Sequence, residues 1–346
     1  MGEQRRKGAR RSLIRLWLDE SFHPLVALGA VLVLEAAAMI GLVYWAGWRE
    51  IAHALAVENA VWFGVCAGGQ VAAYLGYTLA LRGVAAAGNG VELDLAASLG
   101  IVSIGFAPIF SANTGGGFSI DLVTLREAGV NRRQALVRVV ALSLLEYAVL
   151  APAVAVAGLL LFFHVGGKAS GDIALPWLAV VPGAALAVWI TSPSRAKRFR
   201  AGRNDAKLRR VLAYVVEALT LLRRLVAEPR HRIAFAGAAL YWIGDVATLW
   251  AALRVFDVRL SIPTLVLAYG TGWALTRRSL PFGGPGLVEV LLAWVLTWFH
   301  LRFANAAAGV VAYRLFNFWL AMIPAAIVLP FARRLQRKLA RAAATA

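Results

Sequence analysis

Eight ionisable side chains lie in strongly apolar surroundings: Asp121, Arg138, Glu146, Asp245, Arg277, Arg278, Glu289 and Arg314. Two carboxylates such as Glu146 and Glu289 can serve as acid and base, yet nothing resembling a nucleophile–base pair accompanies them. HExxH, GxSxG and a phosphate loop after a strand do not occur, and the five histidines are scattered without ligand spacing. No metal or cofactor is expected. The chemistry these residues suit is the holding of charge. Arg314 sits in Tyr313-Arg314-Leu315-Phe316-Asn317-Phe318-Trp319, about 15 Å into its apolar segment at about 1.5 Å per residue. A guanidinium at mid-bilayer depth needs a partner or a wet cavity. Glu289 and Glu146 are the expected counter-charges. A structural ion pair satisfies that need, and so does contact with an anionic headgroup shared with Arg277 or Arg278. Tyr313 and Asn317 would line the same path.

Two glycine-rich turns add backbone donors. Gly115, Gly116 and Gly117 precede the apolar Phe118–Leu125, which leads to Arg126. Gly283, Gly284 and Gly286, within Pro281–Glu289, precede Leu287–Trp298. A helix that follows such a turn aims unpaired N–H groups and a partial positive charge at whatever fills the site. One such break reads as a packing kink. Two at equivalent places point to a phosphate or carboxylate.

The elements that must position these residues are membrane segments. Of 346 residues, 60% are hydrophobic and 16% charged, and the mean hydropathy is +0.70. Soluble domains run at about 45–50% and about 25%. The net charge of +18 would suggest nucleic acid in a soluble chain. Here the basic residues fall between apolar runs, which is the positive-inside pattern, so no nucleic-acid partner is expected. The single cysteine, Cys66, excludes an intrachain disulfide.

Residues 1–23 are basic, and the apolar run Leu25–Trp45 behind them is too long for a signal-peptide core. Spans are expected at Ala60–Leu81, Ala135–Phe163, Leu175–Ile190, Ile233–Leu253 and Ala304–Pro330, with Leu95–Thr124 and Leu265–Val295 as glycine-broken re-entrant hairpins or as pairs of short full spans. Residues 192–231 form a basic connector. Within it Leu208, Val211, Leu212, Val215, Leu219, Leu222 and Leu225 make an apolar stripe, the mark of an amphipathic helix on the inner leaflet. An offset of 171 residues lays the second half over the first, for example Gly286 on Gly115 and Leu315 on Leu144. The fold class expected is therefore an all-α polytopic membrane protein of about eight membrane segments. It holds one transmembrane domain at 24–335, with inverted span–hairpin–span repeats at about 60–164 and 232–331. Residues 336–346 are a basic tail, and both termini are expected in the cytoplasm.

Pro281–Glu289, Tyr313-Arg314-Leu315 and Phe318-Trp319, together with Gly115–Gly117, Leu125-Arg126-Glu127-Ala128-Gly129-Val130 and Ala135, carry a family likeness. The chain resembles the lysylphosphatidylglycerol synthase/flippase transmembrane family over about residues 25–335. The resemblance implies a bacterial inner-membrane bundle that flips aminoacylated phospholipid between leaflets, with an acidic residue near the place of Glu146. Full-length members carry a soluble aminoacyl-transfer domain after this region. The short basic tail here leads to the expectation of a flippase-like transporter without that enzymatic step. The substrate expected is an anionic or aminoacylated phospholipid or a related envelope lipid. The alternative is a polytopic enzyme, or an accessory subunit recruiting a lipid-modifying synthase.

Overall fold

The computed structural model describes residues 24–49, 52, 61–88, 90–107, 117–196, 207–274 and 287–345. Among these residues every regular element is a helix and there is no strand. In chain order the helices are α1 (Pro24–Ala46), α2 (Val61–Ala86), α3 (Leu95–Phe106), α4 (Gly117–Glu127), α5 (Arg132–Phe162) and α6 (Gly171–Ile190). They continue with α7 (Lys207–Ala227), α8 (Arg232–Val255), α9 (Ile262–Ala274), α10 (Leu287–Thr297), α11 (Phe303–Phe331) and α12 (Ala332–Thr345).

Four of these helices, α5, α6, α8 and α11, are long and apolar enough to cross a membrane. Helices α3 and α10 hold 12 and 11 residues, and at about 1.5 Å per residue neither reaches across the hydrocarbon layer of about 30 Å. They flank residues 108–116 and 275–286, so both glycine turns, apart from Gly117 at the start of α4, lie outside the described residues.

The centre of the bundle is the contact between α2 and α8. A Cβ added to Gly69 would meet Thr248 Oγ1 at 2.5 Å and the Gly244 carbonyl at 2.7 Å. One added to Gly76 would meet the Gly237 carbonyl at 2.7 Å, and one on Gly83 the Ala234 Cβ at 2.6 Å. As the numbers rise along α2 they fall along α8, so the two helices run antiparallel. A glycine every seven positions of α2, set against small residues of α8, lets the backbones touch, which is how helices associate where lipid is as apolar as leucine. Helix α9 packs on α5, and the Met322–Val328 part of α11 packs on α3.

Capping closes the polar ends. Asp94 accepts from the Ala97 amide at 2.8 Å and so caps α3, and Lys338 of α12 donates to the same carboxylate at 2.9 Å. Asn131 caps α5 through the Gln134 amide at 2.9 Å. Helix α7 buries Ala213, Val216, Ala218 and Leu225 and packs on α5. The stripe expected on it divides: Leu225 is buried, whereas Leu208, Val211 and Leu212 at the amino end stay exposed.

Two measurements test this framework. Gly76→Ala lowers stability by about 1–3 kcal/mol through overpacking, whereas Gly64→Ala, with open space around the added methyl, changes it by less than about 0.5 kcal/mol; thermal melting in detergent reads both. The Ala97 amide, then Lys338, hold the Asp94 carboxyl below its ordinary range. A depressed folded pKa stabilises above the unfolded pKa and loses that effect as pH falls through the folded value. The destabilisation caused by Asp94→Ala should therefore fade as melting is repeated from neutral pH to below about 4.

Candidate functional site

Helix α11 begins after Arg302 and stays α-helical to Arg314. It then widens into a π turn over Leu315–Trp319, a distortion that recurs at functional sites. The turn brings Arg314 and Asn317 together, Nη1 donating to Oδ1 at 3.4 Å. Arg314 forks onto Glu35 of α1, with Nε to Oε1 at 2.9 Å and Nη2 to Oε2 at 3.1 Å. Glu289, in the first turn of α10, is the second carboxylate against Nε. The Arg314 side chain is 8% exposed and both carboxylates 0%. The Phe318 ring lies 4.8 Å from the guanidinium carbon, within cation–π range.

A second charge centre adjoins the first. Asp245 of α8 is buried, and its Oδ2 accepts from Tyr269 of α9 at 2.5 Å and from Tyr313 at 3.0 Å. Its Oδ1 accepts from Asn317 Nδ2 at 2.7 Å and from Gln70 Nε2 of α2 at 3.1 Å. Gln70 also donates to Thr248 Oγ1 at 3.0 Å. Four neutral donors can stabilise an ionised carboxylate away from water. Asn317 faces Arg314 with its oxygen and Asp245 with its nitrogen, so one polar path runs from Glu35 to Gln70. It draws on α1, α2, α8, α9, α10 and α11. Further along α2, Tyr77 donates to Asp121 of α4 at 2.5 Å.

Of the residues singled out in the sequence, Glu289, Tyr313, Arg314 and Asn317 come together in this path. Glu146 does not: it is buried on α5, and it is not among the ion-pair partners of Arg314. Helix α8 packs against both α5 and α11, and Trp242 of α8 donates to the main-chain carbonyl of Glu146 at 2.9 Å. Arg126 is exposed near the end of α4, and Gly117 opens that helix. Arg277, Arg278, Gly115, Gly116, Gly283, Gly284 and Gly286 lie outside the described residues. Arg138, another buried cation, is spent on the carbonyls of Ala85 at 3.2 Å and Ala87 at 3.0 Å.

Glu35 is the participant that sequence reasoning missed. Its signal was plain, a lone acid inside the first apolar run, but its partner lies 279 positions away. Asp245 stood out as ionisable without an assigned role. Tyr269 and Gln70 carry no signal in sequence.

A sequence-family model described as the lysylphosphatidylglycerol synthase TM region matches residues 26–325. The chain belongs to this family. The match reaches from the start of α1 into the last part of α11, so Glu35, Asp245, Glu289 and Arg314 all fall in the family's membrane region. As a member of the lysylphosphatidylglycerol synthase TM family with long apolar helices, it is a multi-pass membrane protein related to lipid handling. A search of curated proteins gives no match.

Removing one partner of a buried ion cluster strands the others. Arg314→Met should cost about 3–5 kcal/mol, and the triple variant with Glu35→Gln and Glu289→Gln should regain most of it. Denaturant melts in detergent check this, and a loss below about 1 kcal/mol would mean that the guanidinium is not desolvated.

Proposed function

We propose that this protein moves a phospholipid with an anionic or aminoacylated headgroup between the leaflets of a bacterial inner membrane, with both termini cytoplasmic. The observation that carries the reading is the buried polar path through Glu35, Arg314, Glu289, Asn317 and Asp245, set deep in a lipid-handling membrane family. Ionisable groups at that depth are expensive and are retained for substrate or ion passage.

An inverted repeat supports the same reading. Shifted by 171 residues, the bounds of α2 fall on those of α8, α4 on α10 and α5 on α11, each within two residues. Helix α3 falls on α9 within four. The antiparallel α2–α8 contact is what two such units of opposite orientation would share, and α9 on α5 is mirrored by α11 on α3. Sites at the junction of inverted repeats suit alternating access by rocking of one unit against the other.

In this mechanism a headgroup phosphate competes with Glu35 or Glu289 for the Arg314 fork, whose planar donors match phosphate as well as carboxylate. The ammonium of an aminoacylated headgroup would meet the carboxylate so released. The glycine turns at Gly115–Gly117 and Gly283–Gly286 would offer backbone donors along the way, with Arg277 and Arg278 as further cations.

Purified protein in liposomes with labelled phosphatidylglycerol tests the reading. Wild-type protein should move lipid across the bilayer faster than protein-free vesicles, and Arg314→Lys, which keeps the charge and loses the fork, should slow it about tenfold, equal to about 1.4 kcal/mol of barrier. Wild-type rates no faster than empty vesicles would overturn transport. Covalently altered lipid in the same vesicles would instead favour a lipid-modifying enzyme.

A further inference from the structure

Among the described residues the charges around Arg314 do not balance. Glu35 and Glu289, both fully buried, face one guanidinium. The fork serves both oxygens of Glu35. Among the described residues neither oxygen of Glu289 accepts a hydrogen bond, although its Oε1 lies against Arg314 Nε. Because Oε1 of each acid approaches that one nitrogen, the carboxyls sit side by side. Two carboxylates so placed do not both ionise, and an uncompensated buried charge costs several kcal/mol. One proton removes the excess charge and supplies the donor that the pair lacks.

The surroundings offer no other compensation among the described residues. Arg314 from α11 and Glu35 from α1 are the charged groups acting on Glu289. Helix α9, packed on α10, brings Tyr269, whose hydroxyl is committed to Asp245. Tyr313 is committed to Asp245 as well, and Asn317 separates that carboxylate from the guanidinium. Helix α8, packed on α11, contributes Asp245 and Tyr241, neither of them a cation.

We propose that Glu35 and Glu289 form a proton-binding site beside Arg314, and that its proton travels with the lipid headgroup. The coupling rests on the transport reading above; the proton site does not. Arg314 is what keeps the second carboxyl ionised. A phosphate that takes the guanidinium leaves the pair without its cation, which favours proton uptake. Glu35 stands on α1, outside both repeats, while Glu289 opens a helix of the second, so rocking of that unit against α1 would open and close the site.

Infrared difference spectra of the wild-type protein in detergent, between neutral and alkaline pH, test the site without any variant. A protonated-carboxyl band at neutral pH that vanishes on alkalinisation is expected, and it should be missing from Glu289→Gln and Glu35→Gln. No band in the wild type, or a band untouched by both substitutions, overturns the site. In liposomes a one-unit pH gradient should bias labelled phosphatidylglycerol toward the alkaline side by up to about tenfold, the worth of one proton per pH unit. Lipid that moves without bias overturns the coupling. A normal band with no lipid movement overturns the transport reading and leaves the proton site standing.

Discussion

A guanidinium held between two carboxylates, far from water, constrains everything around it. Arg314 cannot reach solvent, and its carboxylates stand on α1 and α10, the one near the start of the chain and the other following residues 275–286. Arg314 makes its acidic neighbours tolerable and is made tolerable by them, because a lone buried ion is far costlier than a paired one. The cluster therefore ties the first helix to the second half of the molecule. It also sets the level at which α11 must open into its π turn, since Asn317 has to reach both Arg314 and Asp245.

The α2–α8 contact plays the complementary part. At its seam small residues let main chain approach main chain, with Gly69, Gly76 and Gly83 facing Gly244, Gly237 and Ala234. So close an approach gives a stiff antiparallel pair, with the Trp62–Trp250 and Tyr77–Tyr241 ring contacts beside the small-residue seam. Both helices then contribute to the polar path, Gln70 from one and Asp245 from the other, 3.1 Å apart at their polar atoms. Under the proposed function, a stiff seam with charge beside it would offer a polar headgroup a fixed site.

The family match and the geometry bear on different questions. The match to the lysylphosphatidylglycerol synthase TM region places the chain among membrane proteins that handle lipid. Under the proposed function, the geometry would set where a headgroup's charge is felt. Arg314 on its own reads as a cation waiting for phosphate. Between Glu35 and Glu289 it is instead a cation already neutralised, so any anionic ligand must compete for it, and any competitor changes the charge of the two acids.

Much of this molecule is written in local pattern. Composition and the spacing of basic residues between apolar runs determine a multi-pass helical membrane protein, because backbone in lipid must satisfy itself and long apolar runs do so only as helices. The bounds of α2, α5, α8 and α11 follow closely from those runs, and Glu289, Tyr313, Arg314 and Asn317 declare themselves as polar residues where polarity is costly. Which acids Arg314 pairs with could not be read in the same way. Glu35 and Glu146 look alike in sequence, each a lone carboxylate in an apolar helix. Only the packing of the whole bundle places Glu146 on α5, against α8, and leaves Glu35, 279 positions away, to close the cluster. Local propensity reports what a segment is; partner choice across the bundle depends on which helices touch, and that is a property of the whole chain.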